Sequence, residues 1–186
     1  MCRYALVDYK QTYACFACRK VFKKVTLTDY LRQHGLSKKF DKLTNCRKKS
    51  EQIELEQKYG TTADNIINEY QQKICKCPDC GGEMANMGMD FKAPKIQDIK
   101  EWKIIEGMYQ IGAIYQTCGC HGFGYVPKNI NDYVEYLNNH LSAYRSRLDD
   151  VINDESLTSF QRKEQSRYWS KRIESVSEEL DRWVNK

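Results

Sequence analysis

Two short cysteine pairs, Cys15-Phe16-Ala17-Cys18 and Cys77-Pro78-Asp79-Cys80, constrain this chain more than any other feature. Two thiols separated by two residues can sit on one tight turn and present both sulfurs to a single tetrahedral ion. In the second pair Pro78 fixes φ at the start of the turn, and Gly81 can take the left-handed conformation that closes it. A third pair, Cys118-Gly119-Cys120, has the tighter C-x-C spacing. Three pairs allow three sets of four ligands. The two C-x-x-C pairs match best, so Cys15, Cys18, Cys77 and Cys80 are the expected metal ligands. Cys118 and Cys120 form a candidate second metal site, to be completed from Cys2, Cys46, Cys75, His34 or His121. The competing reading makes them small buried residues.

The chain has nine cysteines, an odd number, clustered at ligand-like spacings, which argues for metal ligation over a secreted disulfide framework. Four thiolates suit Zn2+, at zinc–sulfur distances of about 2.3 Å. Cysteine usage and the first residues, Met1 to Asp8, which lack the apolar stretch of a signal peptide, set the expectation of a cytoplasmic protein. The favoured ligand set encloses 58 residues, from Arg19 to Lys76. Loop-closure cost grows only slowly with length, and a structural zinc supplies roughly 10 kcal/mol or more of apparent binding energy. An insertion of that size is therefore tolerable.

The insertion reads as helical. Thr28 and Asp29 are placed to cap a helix through Tyr30, Leu31 and His34, continuing from Leu36 to Leu43. Residues 50–73 form two helical pieces broken at Gly60, the second capped by Thr61 with Asp64 and facing inward through Ala63, Ile66, Ile67, Tyr70 and Ile74. Residues 4–14 and 21–25 read as strands around the first cysteine turn, and 83–88 as a strand after the second. Pro94 introduces a helix with Ile99, Trp102, Ile105 and Tyr109 on one face. Beyond Pro127, Tyr133, Leu137, Leu141, Tyr144, Leu148 and Val151 recur at helical spacing, as do Trp169, Ile173, Val176, Leu180 and Trp183. Thr158 with Gln161 supplies a capping box between the two runs. These patterns predict an αα-hairpin, coiled-coil-like, with helices at about 131–152 and 158–185. The expected fold class is α+β. A small antiparallel metal-ribbon domain spans 1–127 with a helical insertion at about 28–74, and a helical hairpin spans 128–186.

The segments CFACRKVFK at 15–23, CPDCGGEMANMGMDFKAPK at 77–95 and TCGCHGFGYVP at 117–127 resemble zinc ribbons with rubredoxin-like knuckles, and in particular a group of uncharacterised bacterial zinc-ribbon proteins. The resemblance covers the two ends of residues 1–127 and neither the insertion nor the C-terminal hairpin. It implies a zinc ribbon liganded by Cys15, Cys18, Cys77 and Cys80, and implies no known activity. Arg19 stands after Cys18 where the ribbon pattern has Gly, so a less regular first knuckle is expected.

Enzymatic readings find little support. Four cysteine ligands close the coordination position that a catalytic zinc keeps open. The deaminase signature requires H-x-E and P-C-x-x-C, but Lys76 precedes Cys77 and no H-x-E occurs. Neither H-E-x-x-H nor a phosphate-binding G-x-x-x-x-G-K-[ST] is present. A thiol redox pair at Cys15 and Cys18 would lack its usual βαβ setting.

Charge points to a binding role. The chain is 30% charged, with a mean hydropathy of −0.74 and a net charge of +5. Residues 19–49 hold eleven Lys or Arg against two acids, a net +9, which leaves −4 for the rest. The candidate nucleic-acid contacts are Arg19, Lys20, Lys23, Lys24, Lys38, Lys39, Lys42, Arg47, Lys48 and Lys49, with Phe22, Tyr30 and Phe40 interleaved for stacking. The alternative is an adaptor that binds a protein partner or a second copy through residues 131–185, using surplus aromatics of the helical hairpin. No membrane contact and no small-molecule substrate is expected.

Overall fold

The computed structural model describes residues 8–89, 91–112 and 126–184. Seven helices and a small antiparallel sheet make it an α+β protein among these residues. Described residues up to Ala93 belong to one compact unit, and those from Pro94 onward to a second.

In the first unit, β1 (Thr12–Cys15) pairs with β2 (Lys20–Lys23) as an antiparallel hairpin. Four helices follow: α1 (Leu27–Gln33), α2 (Ser37–Thr44), α3 (Lys49–Tyr59) and α4 (Ala63–Ile74). The chain then returns to the sheet as β3 (Ala85–Asn86), on the other side of β1, giving the order β2-β1-β3. The α1 cap is Thr26, whose hydroxyl accepts from the Asp29 N–H at 3.1 Å, not the expected Thr28 or Asp29. The region read as one helix is two, α1 and α2, separated at Gly35. The α4 cap is Thr62, one residue later than expected, its hydroxyl accepting from the Asn65 N–H at 3.0 Å.

Among the described residues, two small apolar clusters pack this unit. Leu31, Leu43 and Ile66 form the helical one, with Phe40, Leu55 and Tyr59 at its margin. Tyr13, Cys15, Ile74, Cys77 and Met84 form the other, beneath the sheet, with Phe22, Val25 and Tyr70 against it. Helix α4 supplies Ile66 to the first and Ile74 to the second, eight residues apart on one face. Further along α4 the Tyr70 hydroxyl donates to the Val25 carbonyl at 2.9 Å, and Lys73 donates to the Tyr30 hydroxyl at 3.2 Å. By contrast, α3 buries no residue completely.

The second unit holds α5 (Ile99–Gln110), α6 (Ile130–Asn153) and α7 (Ser159–Val184). Pro94 lies five residues before α5, so it does not open that helix. The buried face of α5 is Trp102, Ile104, Ile105, Gly107 and Met108; Ile99 and Tyr109, expected inside, are exposed. Rotation of the face has a visible cause at Gly107. A Cβ there would overlap the Glu179 carboxylate and the Tyr133 hydroxyl. The glycine lets α5 approach the other two helices closely enough to touch a polar knot. That knot is the buried Glu179. Its Oε1 accepts from the Tyr133 hydroxyl (3.1 Å) and from Trp183 Nε1 (2.8 Å), while Oε2 accepts from Arg182 (3.0 Å). Arg182 also donates to Gln110 of α5 at 2.7 Å. Helices α6 and α7 run in opposite directions, with Tyr133 edge-on to Trp183 and Tyr144 against Trp169. The Thr158 and Gln161 capping pair forms in both directions.

Glycine inside a helix ordinarily costs up to about 1 kcal/mol relative to alanine. Here the sign reverses: Gly107→Ala should destabilise the protein by about 1–3 kcal/mol through overpacking. Urea unfolding followed by helical circular dichroism checks this, and a neutral or stabilised variant would refute the close approach.

Candidate metal centre

The sheet order builds the centre. Cys15 ends β1 and pairs with Lys20 at the start of β2, so the intervening turn carries Cys18 next to it. On the other side of β1, the pairing of Tyr13 with Asn86 and Ala14 with Ala85 draws in the segment after the second cysteine turn. That turn is a small hairpin of its own, closed by a bridge between Lys76 and Glu83. The Cys77 N–H donates to Gly82 O at 2.8 Å, and the Gly81 N–H to Cys77 O at 2.9 Å. Two turns 62 residues apart, counted from Cys15 to Cys77, thus meet at one end of a three-stranded sheet.

The two turns share a backbone device. Gly81 sits at φ 71° after Cys80, and Arg19 at φ 53° after Cys18. Arg19 therefore takes the same left-handed conformation as the glycine, and the first turn is not less regular than the second. The cost is local: a side chain in this region is unfavourable by about 1–2 kcal/mol.

Sulfur geometry is the central result. The ligand atoms of Cys15, Cys18, Cys77 and Cys80 all lie within 4.8 Å of one another. Cys15 Sγ is 3.6 Å from Cys80 Sγ, and Cys77 Sγ is 4.0 Å from Cys18 Sγ. A tetrahedron with metal–sulfur bonds of about 2.3 Å has edges of about 3.8 Å. The four sulfurs are thus arranged as ligands to one ion. Cys15 and Cys77 are buried, Cys18 is half-buried and Cys80 is exposed.

Proton affinities divide sharply across the cluster. Burial raises the Cys15 thiol, against the N–H of Cys18, and the Cys77 and Cys80 thiols add to the rise. Contacts with the Cys80 and Cys15 thiols, then burial, push Cys18 up to about 12. Burial also acts upward on Cys77, but the N–H groups of Cys80 and Asp79 and the neighbouring thiols bring it down to about 7. One thiolate forms readily near neutral pH, while a full set of four cannot coexist without a cation among them. Around the cluster, Lys20 of β2 donates to Asp79 at 2.6 Å, and Lys24, the residue after β2, donates to the Lys76 carbonyl at 3.1 Å, so the two lysines clasp the second turn. Asp79 and, more weakly, the Cys18 and Cys77 sulfurs raise the Lys20 ammonium.

The remaining sequence candidates fall elsewhere. Cys118, Cys120 and His121 lie outside the described residues. Cys46 and Cys75 are not in the four-sulfur cluster; each thiol donates to a carbonyl of its own neighbourhood, Lys42 O and Gln72 O. The His34 ring lies tilted against Tyr30, with centroids 4.2 Å apart. Among the ten basic candidates, Lys20 and Lys24 are engaged at the metal centre, and Lys39 donates to Tyr59 O at 3.1 Å over the Tyr59 ring. Lys38 and Lys42 on α2, Arg47 and Lys48 in the connection, and Lys49 at the start of α3 are exposed, as is Lys23. The aromatics expected to stack on bases do not serve that purpose. Tyr30 is buried, and Phe22 and Phe40 pack against the two apolar cores. The Lys20–Asp79 clasp joins partners 59 residues apart, a separation that neither cysteine motif signals.

No family model, curated protein or solved structure matches the chain. No helix among the described residues is long and apolar enough to cross a membrane.

Arg19→Gly should stabilise the metal-loaded protein by about 1 kcal/mol, and Gly81→Ala should destabilise it by a similar amount. Parallel urea titrations check both; equal and opposite shifts are the signature of two equivalent turns.

Proposed function

We propose that the protein is a zinc-stabilised binding module of the zinc-ribbon type, without catalytic activity of its own. The observation that carries this reading is the convergence of four sulfurs at tetrahedral spacing, a set that would fill the usual four positions around zinc. Zn2+ would be held by Cys15, Cys18, Cys77 and Cys80 as a structural ion. Its role is to neutralise thiolates that otherwise repel one another and to lock two distant turns together.

The partner we propose is nucleic acid, held through phosphates. Lys38, Lys42, Arg47, Lys48 and Lys49 form an exposed run over α2 and the start of α3, with Asp41 and Glu51 the nearest acids in the chain. Buried or core-packed aromatics argue against base stacking by this segment, so binding should be sequence-tolerant and dominated by counterion release. A cytoplasmic location suits a reduced four-thiolate site.

Two measurements test the two halves of this reading. Elemental analysis of the purified protein should find zinc, lost in Cys15→Ser and Cys77→Ser proteins and retained in Cys118→Ser. Acidification should release it, because protons compete for the thiolates. Iron in place of zinc, or metal retained after loss of Cys15 or Cys77, would refute the assignment. Separately, affinity for generic duplex DNA should fall with salt at a log–log slope no steeper than about −4.5, at about −0.9 for each of five cations. Changing Lys38, Lys42, Lys48 and Lys49 to Glu should abolish binding while leaving zinc content intact. No binding at low salt would remove nucleic acid as the partner.

A further inference from the structure

The outer face of α7 carries a charge pattern that neither the metal centre nor the basic segment uses. Lys163, Arg167 and Lys171 are followed at helical spacing by Glu174, Glu178 and Asp181. Steps of three and four residues place all six along one stripe. All are exposed, and none forms an ion pair with another described residue. At the two ends of α7 stand its most exposed apolar side chains, Phe160 (71%) and Val184 (61%).

A helix that faces only water is better served by alternating charges, so that neighbours four apart attract. Here Lys163 with Arg167, Arg167 with Lys171, and Glu174 with Glu178 are like-charged at that spacing, which disfavours the helix standing alone. Three cations followed by three anions are, however, complementary to themselves when reversed. A twofold axis crossing α7 near Arg172 and Ile173 sets Lys171 opposite the partner's Glu174 and Arg167 opposite the partner's Glu178. The same axis sets Lys163 opposite the partner's Asp181 and Phe160 opposite the partner's Val184. A parallel copy would set cation on cation. Beside the centre of the stripe, a groove between α6 and α7 is lined by Leu148, Ile173, Arg167, Ser170, Lys171 and Glu174. One turn along α6 from Leu148, Ile152 is 53% exposed, adding apolar surface near the stripe.

We propose that this face of α7 binds a second copy of the chain in an antiparallel, isologous dimer. Its extent sets the expected strength. A 26-residue helix is about 39 Å long, and a strip about 10 Å wide along it covers about 400 Å² per copy. That is below the roughly 800 Å² per partner of a standard stable interface, so the dimer should dissociate on dilution. Its charge pairs lie at the surface, so added salt should weaken it.

Sedimentation equilibrium of the full chain, from micromolar to hundreds of micromolar at low salt, tests the proposal. The wild type should pass from its monomer mass of 21.9 kDa toward twice that value. Arg167→Glu/Lys171→Glu makes the stripe acidic, and Glu174→Lys/Glu178→Lys makes it basic; each protein alone should remain monomeric. An equimolar mixture of the two should dimerise at least as well as the wild type. A wild type that stays monomeric throughout, charge-reversed proteins that dimerise alone, or a mixture that does not associate would each overturn the proposal. Wild-type helical circular dichroism qualifies each variant. If one fails it, Arg167→Gln/Lys171→Gln and Glu174→Gln/Glu178→Gln replace the pair. Each should weaken association at least tenfold, and unchanged association in them overturns the proposal.

Discussion

Four sulfurs brought within 4.8 Å of one another are the constraint on which the first unit depends. Against burial, the N–H groups of Cys80 and Asp79, helped by neighbouring thiols, lower the proton affinity of Cys77, while close-set thiols raise that of Cys18. A divalent cation converts the same crowding into attraction. The sheet around them is slight, with strands of four, four and two residues. A structural zinc contributes roughly 10 kcal/mol or more, comparable with the whole net stability of a typical domain at about 5–15 kcal/mol. An ion bound by these four sulfurs would outweigh any single packing contribution in this unit, with the sheet aiming the cysteines.

Much of that centre was legible in the residues themselves. The C-x-x-C spacing singles out the four cysteines that the fold clusters, because a two-residue gap has few ways to turn. The Gly60 break and the Thr158–Gln161 box were legible for the same reason: both are local devices. Misreadings arose where a distant group decides. The inward face of α5 was placed on Ile99, Trp102, Ile105 and Tyr109, yet Gly107 and its contact with Glu179 rotate it. Periodicity cannot see a buried carboxylate 72 residues further on. Arg19 was expected to disturb the first turn and instead accepts left-handed φ, since the hairpin and its sulfurs over-determine the backbone there. The stacking role for Tyr30 failed because tertiary packing against Tyr70 and His34 claims the ring.

The distribution of cations also changes meaning once the fold is known. A run of eleven positive residues looks uniform along the chain, but its members divide between separate tasks. Lys20 and Lys24 clasp the second turn, Lys39 holds the end of α3, and those on α2 and the α2–α3 connection remain for a ligand. Counting charge in a segment therefore overstates the surface available to a polyanion by several residues. The proposed phosphate surface is correspondingly smaller and lies on α2, the α2–α3 connection and the start of α3.

Helix α4 gives these arrangements a common hinge-pin. Ile66 is fixed in one hydrophobic nucleus and Ile74 in the other, on a rod whose two ends cannot shift independently. Losing the ion would loosen the sheet end of that rod and, through it, tilt the helices that display the free lysines. An ion bound by the four sulfurs would thereby steady, through one rod, a hydrophobic nucleus that contributes none of its ligands.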